Sequence, residues 1–170
     1  MFYKEIEKMT DLEMIKQMAK MQKTLDKEIM EKSKECKKPM NEYDVERVML
    51  ALIDEIGELV HELKGDWCWW KKTQAPVNEE RTLEELVDVW HFALSLNNYF
   101  DYTCELDDFP NNATDNTRTI VDEIIDVIAS TASYENMITF TFKLNFTIEE
   151  VYYAYIEKNK ENYERIERGY

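Results

Sequence analysis

Apolar side chains recur every three or four positions through most of the chain, the spacing that keeps one face of an α-helix buried. Leu12, Ile15, Met18, Leu25 and Ile29 form the first stripe. Thr10 is placed to cap that helix, and Glu13 completes a capping box. Gln22 occupies a stripe position and Asp26 lies one turn on, so both face either a hydrogen-bonded core or a site. The second stripe follows Pro39, with Asn41 as its expected N-cap: Val45, Val48, Leu52, Ile56, Leu59 and Leu63. Glu55 flanks this stripe, Glu58 lies beyond it, and Gly65-Asp66 is its expected end. A third helix is expected from Thr82, where Thr82-x-x-Glu85 reads as a capping box. Leu83, Leu86, Val87, Trp90, Ala93 and Leu94 cover one face, and Val89, Phe92 and Leu96 another. A helix apolar on two faces is buried. Asp88 and His91 lie between those faces, where ionisable groups need partners or a metal.

Beyond a loop at Phe109-Pro110-Asn111-Asn112, Ile120, Val121, Ile124, Ile125 and Ile128 give a fourth stripe. Asp122, Glu123 and Asp126 read as its solvated face. The stretch from Ser133 to Phe146 fits a short helix or an extended segment. Thr147-x-x-Glu150 opens a last helix that runs to about Arg168. The expected fold is all-α, a helical bundle, with residues 1–170 as one domain. Three glycines and three prolines are too few for a loop-rich or β-rich fold.

The connector Trp67-Cys68-Trp69-Trp70-Lys71-Lys72 holds three tryptophans within four residues. They either wedge helices together or form a flat wall for a planar base, with lysines beside it for phosphate. The formal net charge of −15 comes without a basic patch and argues against nucleic-acid and anionic-membrane partners. A small polyphosphate stays compatible if metal ions mask the local charge. Cys36, Cys68 and Cys104 lack metal-ligand spacing and read as reduced thiols of a cytoplasmic protein. The first eight residues do not read as a signal peptide, and no apolar run approaches the ~20 residues a membrane span needs.

Glu55-x-x-Glu58 and Glu85-x-x-Asp88 put acidic pairs three apart on two helices. If those helices face each other, four carboxylates surround one small volume and repel unless a cation lies between them. Mg²⁺, a hard cation that prefers oxygen ligands, suits them. Lys158, Asn162 and Arg165 fall at i, i+4 and i+7, lining one side of the last helix with groups suited to phosphate oxygens. The same residues also fit an ordinary solvated basic edge.

The run Asp54-Glu55-Ile56-Gly57-Glu58-Leu59, then Glu84-Glu85-Leu86-Val87-Asp88-Val89-Trp90-His91-Phe92 after a Trp-rich connector, resembles the all-α (MazG-like) nucleoside triphosphate pyrophosphohydrolases. The His-Phe ending is closer to the dimeric dUTPases of that superfamily. Ala154-Tyr155, Lys158-Asn159, Asn162, Arg165 and Gly169-Tyr170 resemble that family's C-terminal motif, and Gln22-x-x-Leu25-Asp26 its N-terminal one. The resemblance covers most of the chain. It implies a homodimer that converts dUTP, and dUDP, to dUMP by attack of a metal-held water on the α-phosphate. Mg²⁺, with Mn²⁺ as a substitute, would be held by Glu55, Glu58, Glu85 and Asp88; one carboxylate is expected to act as general base, and Glu55 is our choice over Glu58, which sequence does not separate from it. Gln22, Asp26, Trp67, Trp70, Lys71, His91, Lys158, Asn159, Asn162 and Arg165 would bind the nucleotide. Cys68 departs from the family's usual Lys, and His61 stands where Asn is common. A sibling enzyme acting on another nucleotide such as dCTP is the nearest rival. Glu58-x-x-His61 and Asp88-x-x-His91 also imitate a di-iron carboxylate bundle. A third reading is a non-catalytic acidic helical protein.

Overall fold

The computed structural model describes residues 9–36, 39, 44–110 and 118–169. Among these, helices alone make up the regular structure: α1 (Asp11–Ser33), α2 (Val45–Glu62), α3 (Lys64–Trp67), α4 (Glu79–Tyr99), α5 (Ile120–Ala129), α6 (Tyr134–Lys143) and α7 (Ile148–Arg168), with a 3₁₀ turn at Leu106–Asp108. The all-α expectation therefore holds. None of these helices is long and apolar enough to cross a membrane.

Helix α4 is the centre. It packs against α1, α2, α6 and α7, while α1 also packs on α7 and α5 on α6. Its double apolar face explains this: Leu86, Val87, Val89, Trp90, Ala93, Leu94 and Leu96 are all buried. Trp90 is fully enclosed, and its indole N–H donates to Thr141 Oγ1 at 3.0 Å. That bond satisfies the polar end of an otherwise apolar group and ties α4 to α6.

The caps at Thr10 and Thr147 form as the local patterns predict, each as a reciprocal capping box. The third helix departs from expectation. It starts at Glu79, and Asn78 is its cap, accepting from the Arg81 N–H at 3.1 Å. Thr82 lies inside the helix, buried, with its hydroxyl donating back to the Asn78 carbonyl at 2.8 Å. Glu85 is thus no capping residue, and its carboxylate needs another account. Asn41, the expected cap of the second helix, lies outside the described residues; the helix is described from Val45.

Gly65-Asp66 does not end the helical path as expected. Helix α2 stops at Glu62, and these residues form the short α3. A Cβ at Gly65 would stand 3.3 Å from the Ala75 carbonyl and 3.4 Å from Val77, so the glycine lets the returning connector pass close by. The ambiguous stretch after Ser133 contains α6, capped by the Ser133 hydroxyl. Glu123 is buried rather than solvated; Arg118 Nε donates to it at 2.8 Å and the same guanidinium binds Asp126. In consequence α5 turns Ile124 and Val127 inward and leaves Val121, Ile125 and Ile128 exposed.

Candidate active site

The packing of α2 on α4 sets the two acidic pairs face to face. Carboxylate oxygens of Glu55, Glu58 and Glu85 all lie within 4.8 Å of one another. Asp88, one turn beyond Glu85, is not within that distance of all three and accepts from Lys158 Nζ on α7 at 2.5 Å. The structure therefore brings three of the four expected carboxylates together and ties the fourth to a lysine. Burial is the main reason Glu55 is pushed up to about 7, and the charges of Asp88, Glu58 and Glu85 add to it. Glu85 and Asp88 are also raised, again chiefly by burial, and Lys158 opposes the rise at each of the three.

An all-carboxylate donor set suits a hard divalent cation such as Mg²⁺ or Mn²⁺. It suits a di-iron centre poorly, because no histidine joins the group among the described residues. The His61 ring nitrogens face Lys64 Nζ, at 2.8 and 3.1 Å, and His91 Nδ1 meets Gln22 Oε1 at 2.7 Å.

A cavity of about 480 Å³ opens beside the carboxylates. Its wall includes Glu55 and Asp88, Gln22, Asp26 and His91, and Lys158, Asn162 and Arg165 from α7. A hydrogen-bonded network backs the side wall. Gln22 Nε2 donates to Asp26 Oδ1 at 2.7 Å and to Ser95 Oγ at 3.1 Å. Ser95 Oγ donates to Asp26 at 2.9 Å, and the Tyr155 hydroxyl donates to Gln22 Oε1 at 2.7 Å. These bonds orient the Gln22 amide with its carbonyl toward His91, so His91 Nδ1 carries the proton. Burial holds His91 down at about 3, which keeps the ring neutral, and its Nε2 is buried with no partner. Tyr155 stacks on the ring, with centroids 4.2 Å apart and planes 20° apart. Asp26 is pushed up to about 6 by burial, against the pull of the bonds from Gln22 and Ser95.

Residues 14–170 match the dUTPase family. The chain belongs to that family. No curated protein matches it. This dUTPase, a hydrolase acting on dUTP, thus carries its acidic pairs on packed helices, with Glu55 and Asp88 lining a cavity sized for a small ligand.

Several expected nucleotide contacts sit elsewhere in the dUTPase. Trp67 is half-buried, and its indole N–H donates to the Val60 carbonyl at 2.8 Å, the wedge role that the connector allowed. Trp69 and Trp70 are exposed and meet edge to face, and Lys71 is exposed. Trp67, Trp70 and Lys71 are not on the cavity wall. Asn159 is buried behind Tyr155, whose oxygen it approaches at 3.4 Å, and also lies off the wall. Arg165 is on the wall but spends one donor on Glu161 at 2.6 Å. Sequence reasoning gave no role to Ser95 or Tyr155. Ser95 follows His91 by one helical turn, and Tyr155 stands three residues before Lys158, so helical spacing from residues already singled out could have found both.

Proposed function

We propose that this dUTPase hydrolyses dUTP, and dUDP, to dUMP with water attacking the α-phosphate, and that residues 1–170 act as one catalytic domain. The observation that carries the reading is the convergence of Glu55, Glu58 and Glu85 within 4.8 Å, with Glu55 on the wall of a cavity that Lys158, Asn162 and Arg165 of α7 also line. Glu55, Glu58, Glu85 and Asp88 would hold Mg²⁺, with Mn²⁺ as a substitute. When bound, the cation neutralises acid and polyphosphate and favours deprotonation of the attacking water. Glu55 takes the water's proton; of the three clustered carboxylates it is the one on the cavity wall. Lys158, Asn162 and Arg165 bind phosphate oxygens.

The side wall selects the base. Neutral His91, with Nδ1–H given to Gln22, keeps the Nε2 lone pair for an incoming N–H. Uracil has such a donor at N3, whereas cytosine has a bare lone pair there and would leave both groups unsatisfied. Asp26, Ser95 and Tyr155 hold Gln22 in the orientation that this requires. Asn159 supports Tyr155, and Trp67, Trp70 and Lys71 flank the site outside the cavity. Pyrophosphate release measured over a panel of deoxynucleotides, with and without Mg²⁺, tests the reading. We expect turnover of dUTP that needs the metal; equal or faster turnover of dCTP would sink the base assignment.

We further infer a homodimer in the cytoplasm. Leu50 and Ile53 on α2, and Val121, Ile125 and Ile128 on α5, are exposed apolar side chains of a kind that association covers. The three free thiols suit a reducing compartment. Light scattering at micromolar concentration should give twice the chain mass, and a monomer mass would refute the dimer.

A further inference from the structure

We propose that Lys158 is a built-in stand-in for the divalent cation: it neutralises Asp88 in the metal-free enzyme and moves to the substrate's polyphosphate when a cation takes Asp88. The proposal rests on the reading of the carboxylates as a metal site and adds a coupling between metal and nucleotide. Three carboxylates of the expected four lie within 4.8 Å of one another, and the fourth, on the cavity wall with Glu55, is the one bonded to a lysine. The bond is short, 2.5 Å, and both side chains are largely shielded, at 23% and 19% exposed. A charge pair so placed is stronger than one in open water. It joins α7 to α4 at the mouth of the acidic group, because Glu85 lies one turn before Asp88 on the same helix.

Lys158 is suited to this exchange. Glu55, Asp88, Lys158 and Asn162 all line the same cavity, so the ammonium can pass from Asp88 to a ligand there without crossing packed core. Its four-carbon stem is flexible and its charge compact, unlike the planar fork of an arginine. The neighbouring cation Arg165 is already engaged by Glu161 and leaves Asp88 to Lys158. Cation and lysine then compete for one carboxylate. A bound polyphosphate that draws Lys158 away removes the competitor, and by linkage a bound cation frees Lys158 for the polyphosphate. Each ligand tightens the other through one side chain.

Mn²⁺ binding to the full chain, followed by electron paramagnetic resonance, tests this without turnover. Lys158→Met keeps the length of the side chain and removes its charge. The nucleotide-free variant should bind Mn²⁺ roughly tenfold more tightly than the parent, as loss of a nearby unit charge implies. The gain should shrink to near nothing when Lys158→Met is made on top of Asp88→Asn, because the competition has lost its object. A non-hydrolysable imido analogue of dUTP should tighten Mn²⁺ on the parent protein and do so far less on Lys158→Met. Unchanged or weaker Mn²⁺ binding by Lys158→Met overturns the proposal, as does an equal gain with and without Asp88, which would mark long-range charge alone. If the parent binds no Mn²⁺ with or without the analogue, the metal reading itself fails. Lys158→Gln, with circular dichroism to verify the fold, guards against a packing artefact of the methionine.

Discussion

Asp88 and His91 are ionisable groups on the most buried helix, and each is neutralised by a different route. His91 loses its charge to burial, with Gln22 as partner for one nitrogen. Asp88 keeps a carboxylate and gains Lys158. The difference follows from partners: His91 is bonded to Gln22 of α1 and stacked on Tyr155 of α7, whereas Asp88 meets the Lys158 ammonium of α7. It bears on mutation. Glu58→Gln or Asp88→Asn removes an anion from a crowded set and leaves the apolar packing of α2 and α4 intact. Each should cut dUTP turnover by more than about a hundredfold, the scale of losing one preorganised charged group. For Glu58→Gln thermal stability in a chelator should be retained or raised, since repulsion falls, whereas Asp88→Asn also strips the shielded Lys158 of its partner and should melt lower. Phosphate release and a melting curve on the same preparation check both halves; near-normal turnover in either variant would remove that carboxylate from the site.

At the scale of elements, what was legible depended on how local the cause is. The capping boxes at Thr10 and Thr147 involve residues three apart, so the pattern and the structure agree. Thr82-x-x-Glu85 has the same pattern but lost to Asn78, which caps a helix begun one turn earlier with Glu79 and Glu80 against its positive end. Asn78→Ala should therefore destabilise the protein by about 1 kcal/mol in chemical denaturation, while a silent result would return the cap to Thr82. Glu123 was misread because its burial depends on Arg118, upstream of α5, and on how that helix docks. The acidic pairs were legible because i, i+3 spacing fixes which residues share a face, and the stripes fix which faces meet. That Lys158 would reach Asp88, seventy residues away in the chain, was beyond any local pattern. The same holds for the Trp connector, where one ring wedges and two are exposed.

For the whole molecule the governing quantity is excess acid: a net charge of −15, with Glu55, Glu58 and Glu85 crowded within 4.8 Å. Protons and divalent cations should stabilise the fold by relieving the same repulsion. Glu55 is raised from 4.5 to about 7, so its favourable contribution is complete below about pH 4.5 and is lost as pH rises through about 7. Asp26, raised from 3.8 to about 6, follows the same sign over a lower window. His91 has the opposite sign: lowered from 6.5 to about 3, it contributes above about pH 6.5 and loses that contribution as pH falls toward 3. Between about pH 8 and pH 6.5 the Glu55 effect therefore dominates the three. In a chelator, the melting temperature should climb as pH is lowered across that window, and Glu55→Gln should flatten the climb. Saturating Mg²⁺ should raise the melting temperature most at the alkaline end, where the carboxylates are fully charged, and so reverse or erase the slope. Differential scanning calorimetry on both proteins, with chelator and with Mg²⁺, reads all four curves. A chelator curve that falls from pH 8 to pH 6.5, or a Mg²⁺ gain no larger at pH 8 than at pH 6.5, would mean that acid crowding around Glu55 does not limit the stability of the metal-free protein.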